Sequence, residues 1–421
     1  MALDERRVAA ALDANAGAIE AYLDDDSDRI ARYRDAIERL PTEWTSAEIR
    51  AALDEHSYPG AVPTPAFDES ESLIVPHRAS DAFDHHEDVN AWAREVLQDV
   101  PVLAVDGSQL PPTTQFSVPL AYVQSAWALN YHRPEGRLDR DIEGRLLTPD
   151  AITRESDEGD YRFVDSQLVG HARFEHEGCV LVDRIAALAA ARDAGELDRP
   201  PVAIYDGPLI ASFANPLAPE TRDRYLETLS RVIAASEYHE VPLVGYVADS
   251  SATELVKMVR LLEPDRFADD RVVPDAHVLA DLTSPWGDRT IPFVSKRDGS
   301  VDALETTYRG EAYAFEDDIC FSYLDVPPGS ALDRIEFPGW LCRADGPAGY
   351  ETMFEYTVAV VRAEAGVGRG YPEILQQADS DAVLDGADRQ QFQRLVGRWA
   401  ESNDVPLEWT AKARSKELRR R

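Results

Sequence analysis

Apolar positions over residues 2–54 recur at helical spacing. Val8, Leu12, Ile19, Leu23, Ile30, Tyr33, Ile37 and Leu40 stand three, four or seven residues apart, with charges between. The acidic run from Asp24 to Asp28 predicts a break into two helices. Residues 55–88, rich in Pro, Ser, Asp and His, predict a connection. The pattern then changes period. Pro101-Val102-Leu103-Ala104-Val105 is a short apolar run leading into Asp106-Gly107-Ser108, which predicts a buried strand ending in an acid and a turn. Leu120 to Leu129 predicts its partner strand, and the polar stretch 131–162 a loop or hairpin insertion. A helix is predicted from Asp165 to Ala191, with Phe174, Leu181, Ile185 and Leu188 facing inward and Glu177 in the same stripe.

Pro201 to Tyr205 repeats the first strand and again ends in Asp-Gly, at Asp206-Gly207. A helix over 221–237 and a strand over 242–247 follow, a spacing that fits a parallel crossover. Glu254 opens the next helix and reads as a solvated first-turn acid. Residues 313–325 and 333–340 predict further strands. Gly370-Tyr371-Pro372 opens a late helix, with proline suited to its first turn. Leu375, Ala378, Ala382 and Val383 would form the inward face of this helix, and Asp379, four residues from both Leu375 and Val383, is placed on it.

Composition adds a habitat and removes some function classes. The net charge is -35 over 421 residues. Lys257, Lys296, Lys412 and Lys416 are the only lysines, and the acids are dispersed through helices and loops. Diffuse acidity of this kind suits a salt-saturated cytoplasm, where the Debye length shrinks to roughly 3 Å at 1 M and self-repulsion is screened. Molar salt also removes most counterion-release affinity for nucleic acid, so a DNA enzyme there relies on metal, shape or a partner. The three cysteines, Cys179, Cys320 and Cys342, are odd in number and far apart, which predicts neither disulfides nor a zinc cluster. No apolar run is long enough to cross a bilayer, and the N-terminus lacks a secretion signal, so the location expected is cytoplasmic.

The candidate chemistry is carried by acids. Two strands ending in Asp106 and Asp206 bring these acids together if the strands are neighbours. An inward acid on a helix costs several kcal/mol unless it is paired or binds a cation. Glu177 and Asp379 are the two such acids predicted, with Arg173, four residues before Glu177, as the structural ion-pair alternative. Four carboxylates without a cysteine–histidine cluster favour Mg²⁺ or Mn²⁺ over Zn²⁺. Two such ions about 4 Å apart would activate water and stabilise the leaving oxygen of a phosphodiester. Asp106 would bridge both ions, Asp206 and Glu177 would hold one each or share, and Asp379 would complete the site.

The order of these pieces resembles the ribonuclease-H-like fold, and the motifs resemble those of the NurA nucleases of archaea. The matching segments are Val105-Asp106-Gly107-Ser108, the helix with Arg173 and Glu177, Tyr205-Asp206-Gly207-Pro208-Leu209, Arg334-Ile335-Glu336-Phe337-Pro338, and Gly370-Tyr371-Pro372 with its helix. The resemblance spans residues 95 to 390. It implies an α/β protein with a mixed sheet flanked by helices. It also implies a Mn²⁺-dependent nuclease acting on single-stranded DNA and duplex 5′ ends, as a dimer docked on the hexameric HerA translocase in double-strand-break end resection. One departure stands out: the family carries Ala-His in the last helix, where this chain has Ala378-Asp379. Glu175 competes with Glu177 as the helix ligand, and the stripe favours Glu177.

Three parts are expected: a helical extension and connection over 1–90 for docking or dimerisation, a nuclease domain over 91–400, and a basic tail over 401–421. His85, His86 and His239 lack ligand spacing, and Ser108 lacks a nucleophile elbow around it. Tyr371 and Trp340 are candidates either for stacking on an unpaired base or for core packing. The chain has no G-x-x-x-x-G-K-[ST], so ATP-driven movement falls to a partner. The alternatives are a non-catalytic adaptor that loads a DNA translocase and an acidic scaffold with no nucleic-acid ligand.

Overall fold

A computed structural model describes residues 4–407 apart from 80–82, 84, 114, 157–158, 268–270, 284–285, 298–304, 316–317 and 327–331. The basic segment 412–421 therefore lies outside the described residues. The chain divides into two compact units. One comprises residues 1–83, 247–298 and 320–335, and the other residues 84–246, 299–319 and 336–421.

The second unit carries a mixed sheet. Its strands are Val102–Leu110, Ala121–Asn130, Leu138–Leu147, Val202–Asp206 and Leu243–Val247. The first three form an antiparallel meander, while the Val102 and Leu243 strands flank the Val202 strand in parallel. The spatial order is third, second, first, fourth, fifth, which is the ribonuclease-H-like arrangement. The parallel strands read as unbroken apolar runs because helices cover both faces. The helix Ser166–Asp193 packs Phe174, Leu181, Ile185 and Leu188 against Leu103, Val105, Ala203 and Tyr205. Strand alternation sends Ala104, Asp106 and Ser108 to the opposite face. There the helix Glu373–Ala382 is tied down by two bonds. Gln124 donates to the Ala382 carbonyl at 2.8 Å, and the Leu384 amide donates to Ser108 Oγ at 3.3 Å.

The first unit holds the N-terminal helix and antiparallel strands Gly60–Pro63, Phe293–Lys296 and Ile319–Leu324, the last beginning one residue before the unit boundary. The predicted break at Asp24–Asp28 is absent: one helix runs from Glu5 to Glu43. Asp25 and Asp26 bond Arg29 at 2.7 and 3.2 Å, so the acidic run is absorbed as i,i+4 and i,i+3 pairs instead of ending the helix. Tyr33, Ile37 and Leu40 are buried in this unit's core, whereas Val8, Leu12, Ile19 and Leu23 are exposed. Glu254 is not solvated either. It is 2% exposed and meets Arg334 at 2.7 Å, and Arg334 also stacks over Phe321 at 3.9 Å. An acid at a helix start is drawn inside here because a buried cation meets it. Among the described residues no helix is long and apolar enough to cross a membrane.

The stretch 131–162 is more ordered than a loop. It contains the 10-residue edge strand Leu138–Leu147 and the small hairpin Thr153–Glu155 with Arg162–Val164. Its polar sequence reflects an edge strand wet on most of its surface.

Candidate active site

Asp106 does not end its strand. Its antiparallel partner continues through Leu110↔Tyr122, so the strand runs four residues past the acid. What ends after Val105↔Tyr205 is the parallel pairing with the Val202 strand. Asp206 does end its strand, and Gly207 follows at φ 138°, a conformation that suits glycine. The register therefore sets Asp106 and Asp206 one step past a paired position on adjacent strands, with both side chains on the face of the Glu373–Ala382 helix.

Gly107 serves a close approach. A Cβ there would come within 2.6 Å of Glu177 Oε2 and 3.2 Å of Arg173 Cγ. Glu177 and Arg173 thus fill the gap left by the missing side chain, on the face opposite Asp106. Arg173 Nη1 donates to Glu177 Oε2 at 2.9 Å and to the Gly107 carbonyl at 3.1 Å. Glu177 is 2% exposed, while Glu175 points outward to Arg145 at 3.1 Å, as the stripe predicts. The ion-pair partner foreseen for Glu177 is also present.

Asp379 is displaced from its predicted position. It is exposed, as is Val383, and the inward face is Ile374, Leu375, Ala378 and Ala382. The sequence spacing admits both stripes, and the packing of Ile374 selects the second. Asp379 stays close enough to raise the pKa values of Asp106 and Asp206. Tyr371 packs edge-on to Tyr246 at 5.3 Å and donates its hydroxyl to Asp206 Oδ1 at 2.8 Å.

The electrostatics are those of crowded acids. Burial first, then the negative charges of Asp206 and Asp379, push Asp106 up to about 6, against the opposing Gly107 amide and Arg173. Burial raises Glu177 to about 8 although Arg173 opposes it, with Asp106 and Asp206 adding to the rise. Asp206 reaches solvent at the strand end, yet neighbouring atoms strip enough water to raise it too, with the Tyr371 bond acting the other way.

An all-oxygen donor set whose carboxyls repel one another suits a hard divalent cation. Among the described residues, however, no three acids or imidazoles form a ready metal-binding group. The face division explains this. Asp106 and Asp206 share one side, Asp379 stands at the rim, and Glu177 is held by Arg173 on the other side.

Two residues of the resembling segments support the site although the sequence assigns them no role there. Glu336 is fully buried, and its Oε2 accepts from the Ile210 amide at 3.1 Å, holding the loop that leaves Asp206. Its signal was an acid inside an apolar strand. Tyr205 lies near enough to Glu177 to oppose its raised pKa, and nothing in its sequence context marks that. Trp340 is 9% exposed, which suits packing. His239 meets the Tyr308 hydroxyl at 3.1 Å, and His85 stands at a helix N-cap.

No curated protein matches the chain. Among solved structures, endonuclease V from Bacillus subtilis shares 9% identity over 74% of this chain and 95% of its own, at a TM-score of 0.28, a likeness too distant to carry an argument. A model of the NurA domain matches residues 100–384, which take in Asp106, Glu177, Asp206 and Asp379 and more than half of the chain. The chain therefore belongs to the NurA family.

Proposed function

We propose that this protein is a divalent-metal-dependent DNA nuclease that cuts single strands internally and resects duplex ends from the 5′ side. Family membership supports nuclease-type hydrolysis and the use of divalent metals. The observation that carries the reading is the pair Asp106 and Asp206 on adjacent parallel strands, both held above the usual carboxylate range. Crowded acids of this kind gain most from a bound cation.

Asp106 and Asp206, with Asp379 at the rim, would hold the ion or ions, while Glu177, paired with Arg173 on the opposite face, would steady the backbone at Gly107. Mn²⁺ or Mg²⁺ supplies Lewis acidity toward water and the leaving oxygen. Tyr371 fixes the rotamer of Asp206 through its hydroxyl. Arg173 keeps Glu177 in place and, with a third of its side chain exposed, offers positive charge to a phosphate.

The reading extends to end resection in double-strand-break repair, with a HerA-type hexameric ATPase supplying movement in a salt-rich cytoplasm. A homodimer is part of it. The exposed stripe Val8, Leu12, Ile19 and Leu23 is a surface that a second copy of the chain would cover. End-labelled single- and double-stranded DNA, incubated with Mn²⁺ in high KCl, tests the nuclease reading. Wild type should cleave and Asp106→Ala should not. A wild type that leaves both DNAs whole while stimulating a translocase would establish the adaptor instead.

A further inference from the structure

We propose that Phe213 is a base-stacking residue that gives the site its grip on unpaired DNA, an inference that rests on the nuclease reading above. Phe213 sits in a single 3-10 turn, Ser212–Ala214, in the loop leaving Asp206. That loop lies at the carboxyl end of the parallel strands, where α/β sheets bind their ligands. Ile210, Ala211 and Ala214 around it are fully buried, but Phe213 itself is 44% exposed.

The ring is not loose. It meets Tyr225 edge-on at 5.4 Å and 88°, and Phe174 at 5.9 Å and 62°. Phe174 and Tyr225 are themselves 4.8 Å apart, so two rings brace the third. An aromatic held this way loses little entropy when a second flat group lands on it.

The cluster lies on the Glu177 side of the sheet. Phe174, which braces the ring, follows Arg173 on the helix, and that guanidinium bonds Glu177 and the Gly107 carbonyl. A nucleobase stacked on Phe213 therefore has Arg173 on the same face of the sheet to meet its phosphate, and the loop that carries the ring leaves Asp206 itself. Stacking tolerates any base because every base has a π-face. A paired base already has neighbours above and below, so the contact selects single strands.

The test uses full-length protein in EDTA, which silences metal-dependent cleavage, and a single-stranded oligonucleotide carrying 2-aminopurine, whose fluorescence falls on stacking. Phe213→Ala and Phe213→Leu should raise the Kd by about 5- to 100-fold and lose the quenching, while Phe213→Trp keeps both. Blunt duplex affinity should change by less than about twofold. Leucine retains apolar bulk, so a Leu variant that binds and quenches like wild type overturns the stacking role. So does a wild type that shows no quenching. Cleavage is followed in parallel with Mn²⁺. Wild type that cleaves while the variants bind unchanged sinks this inference alone, and wild type that binds and quenches without cleaving sinks the nuclease reading alone.

Discussion

At the scale of single residues, the site is held under electrostatic tension that a cation or a proton relieves. The pKa of Asp106 is raised to about 6 in the folded chain. A group raised on folding contributes stability that is fully present below its unfolded pKa and is lost as pH rises through the folded value. For Asp106 that window runs from about 4 to about 6. Glu177, raised to about 8, extends the same loss toward neutral pH and beyond. Metal-free wild type should therefore lose stability between pH 4 and 8 relative to Asp106→Asn, by about 1 to 3 kcal/mol at pH 8. Paired urea titrations at the two pH values check it. A difference that does not change with pH would remove Asp106 from the tension. Asp379 adds a further carboxylate whose negative charge raises Asp106 and Asp206.

At the scale of elements, the geometry depends on a glycine inside a strand and a glycine after one. Gly107→Ala puts a methyl group 2.6 Å from Glu177 Oε2, so Glu177 and Arg173 must shift. The variant should lose about 1 to 3 kcal/mol and most of its cleavage, since overpacking displaces the acid. A crystal structure with Glu177 unmoved, or full activity, would show the close approach to be unimportant. The two Asp-Gly motifs look alike in sequence yet differ in structure. Gly207 is needed for its backbone angle after a strand end, whereas Gly107 sits in a strand kept going by its antiparallel partner. That partner is the next strand along the chain, but an Asp-Gly pair reads locally as a turn, so the local pattern does not reveal the continuation. The Glu177 stripe was legible because Phe174, Leu181, Ile185 and Leu188 lie on one helical face. The short Glu373–Ala382 helix has two acceptable stripes in sequence, and only the burial of Ile374 selects the one that leaves Asp379 exposed. The burial of Glu254 is hidden from its local sequence for a related reason: its partner Arg334 is 80 residues away.

At the scale of the whole molecule, the charge of -35 opposes compaction at low salt. Shortening the Debye length from about 10 Å at 0.1 M to about 3 Å at 1 M should raise the Tm by more than about 5 °C. A melting series in KCl at fixed pH decides it, and a flat or falling Tm would contradict the salt-adapted reading. The central claim concerns the acids at the edge of the parallel strands, and Mn²⁺ binding measured by calorimetry in KCl at pH 8 tests it most directly. Wild type should bind Mn²⁺, Asp106→Asn and Asp206→Asn should each weaken binding at least about tenfold, and wild-type affinity should fall as pH drops below about 6. Equal affinity in wild type and Asp106→Asn would contradict the account.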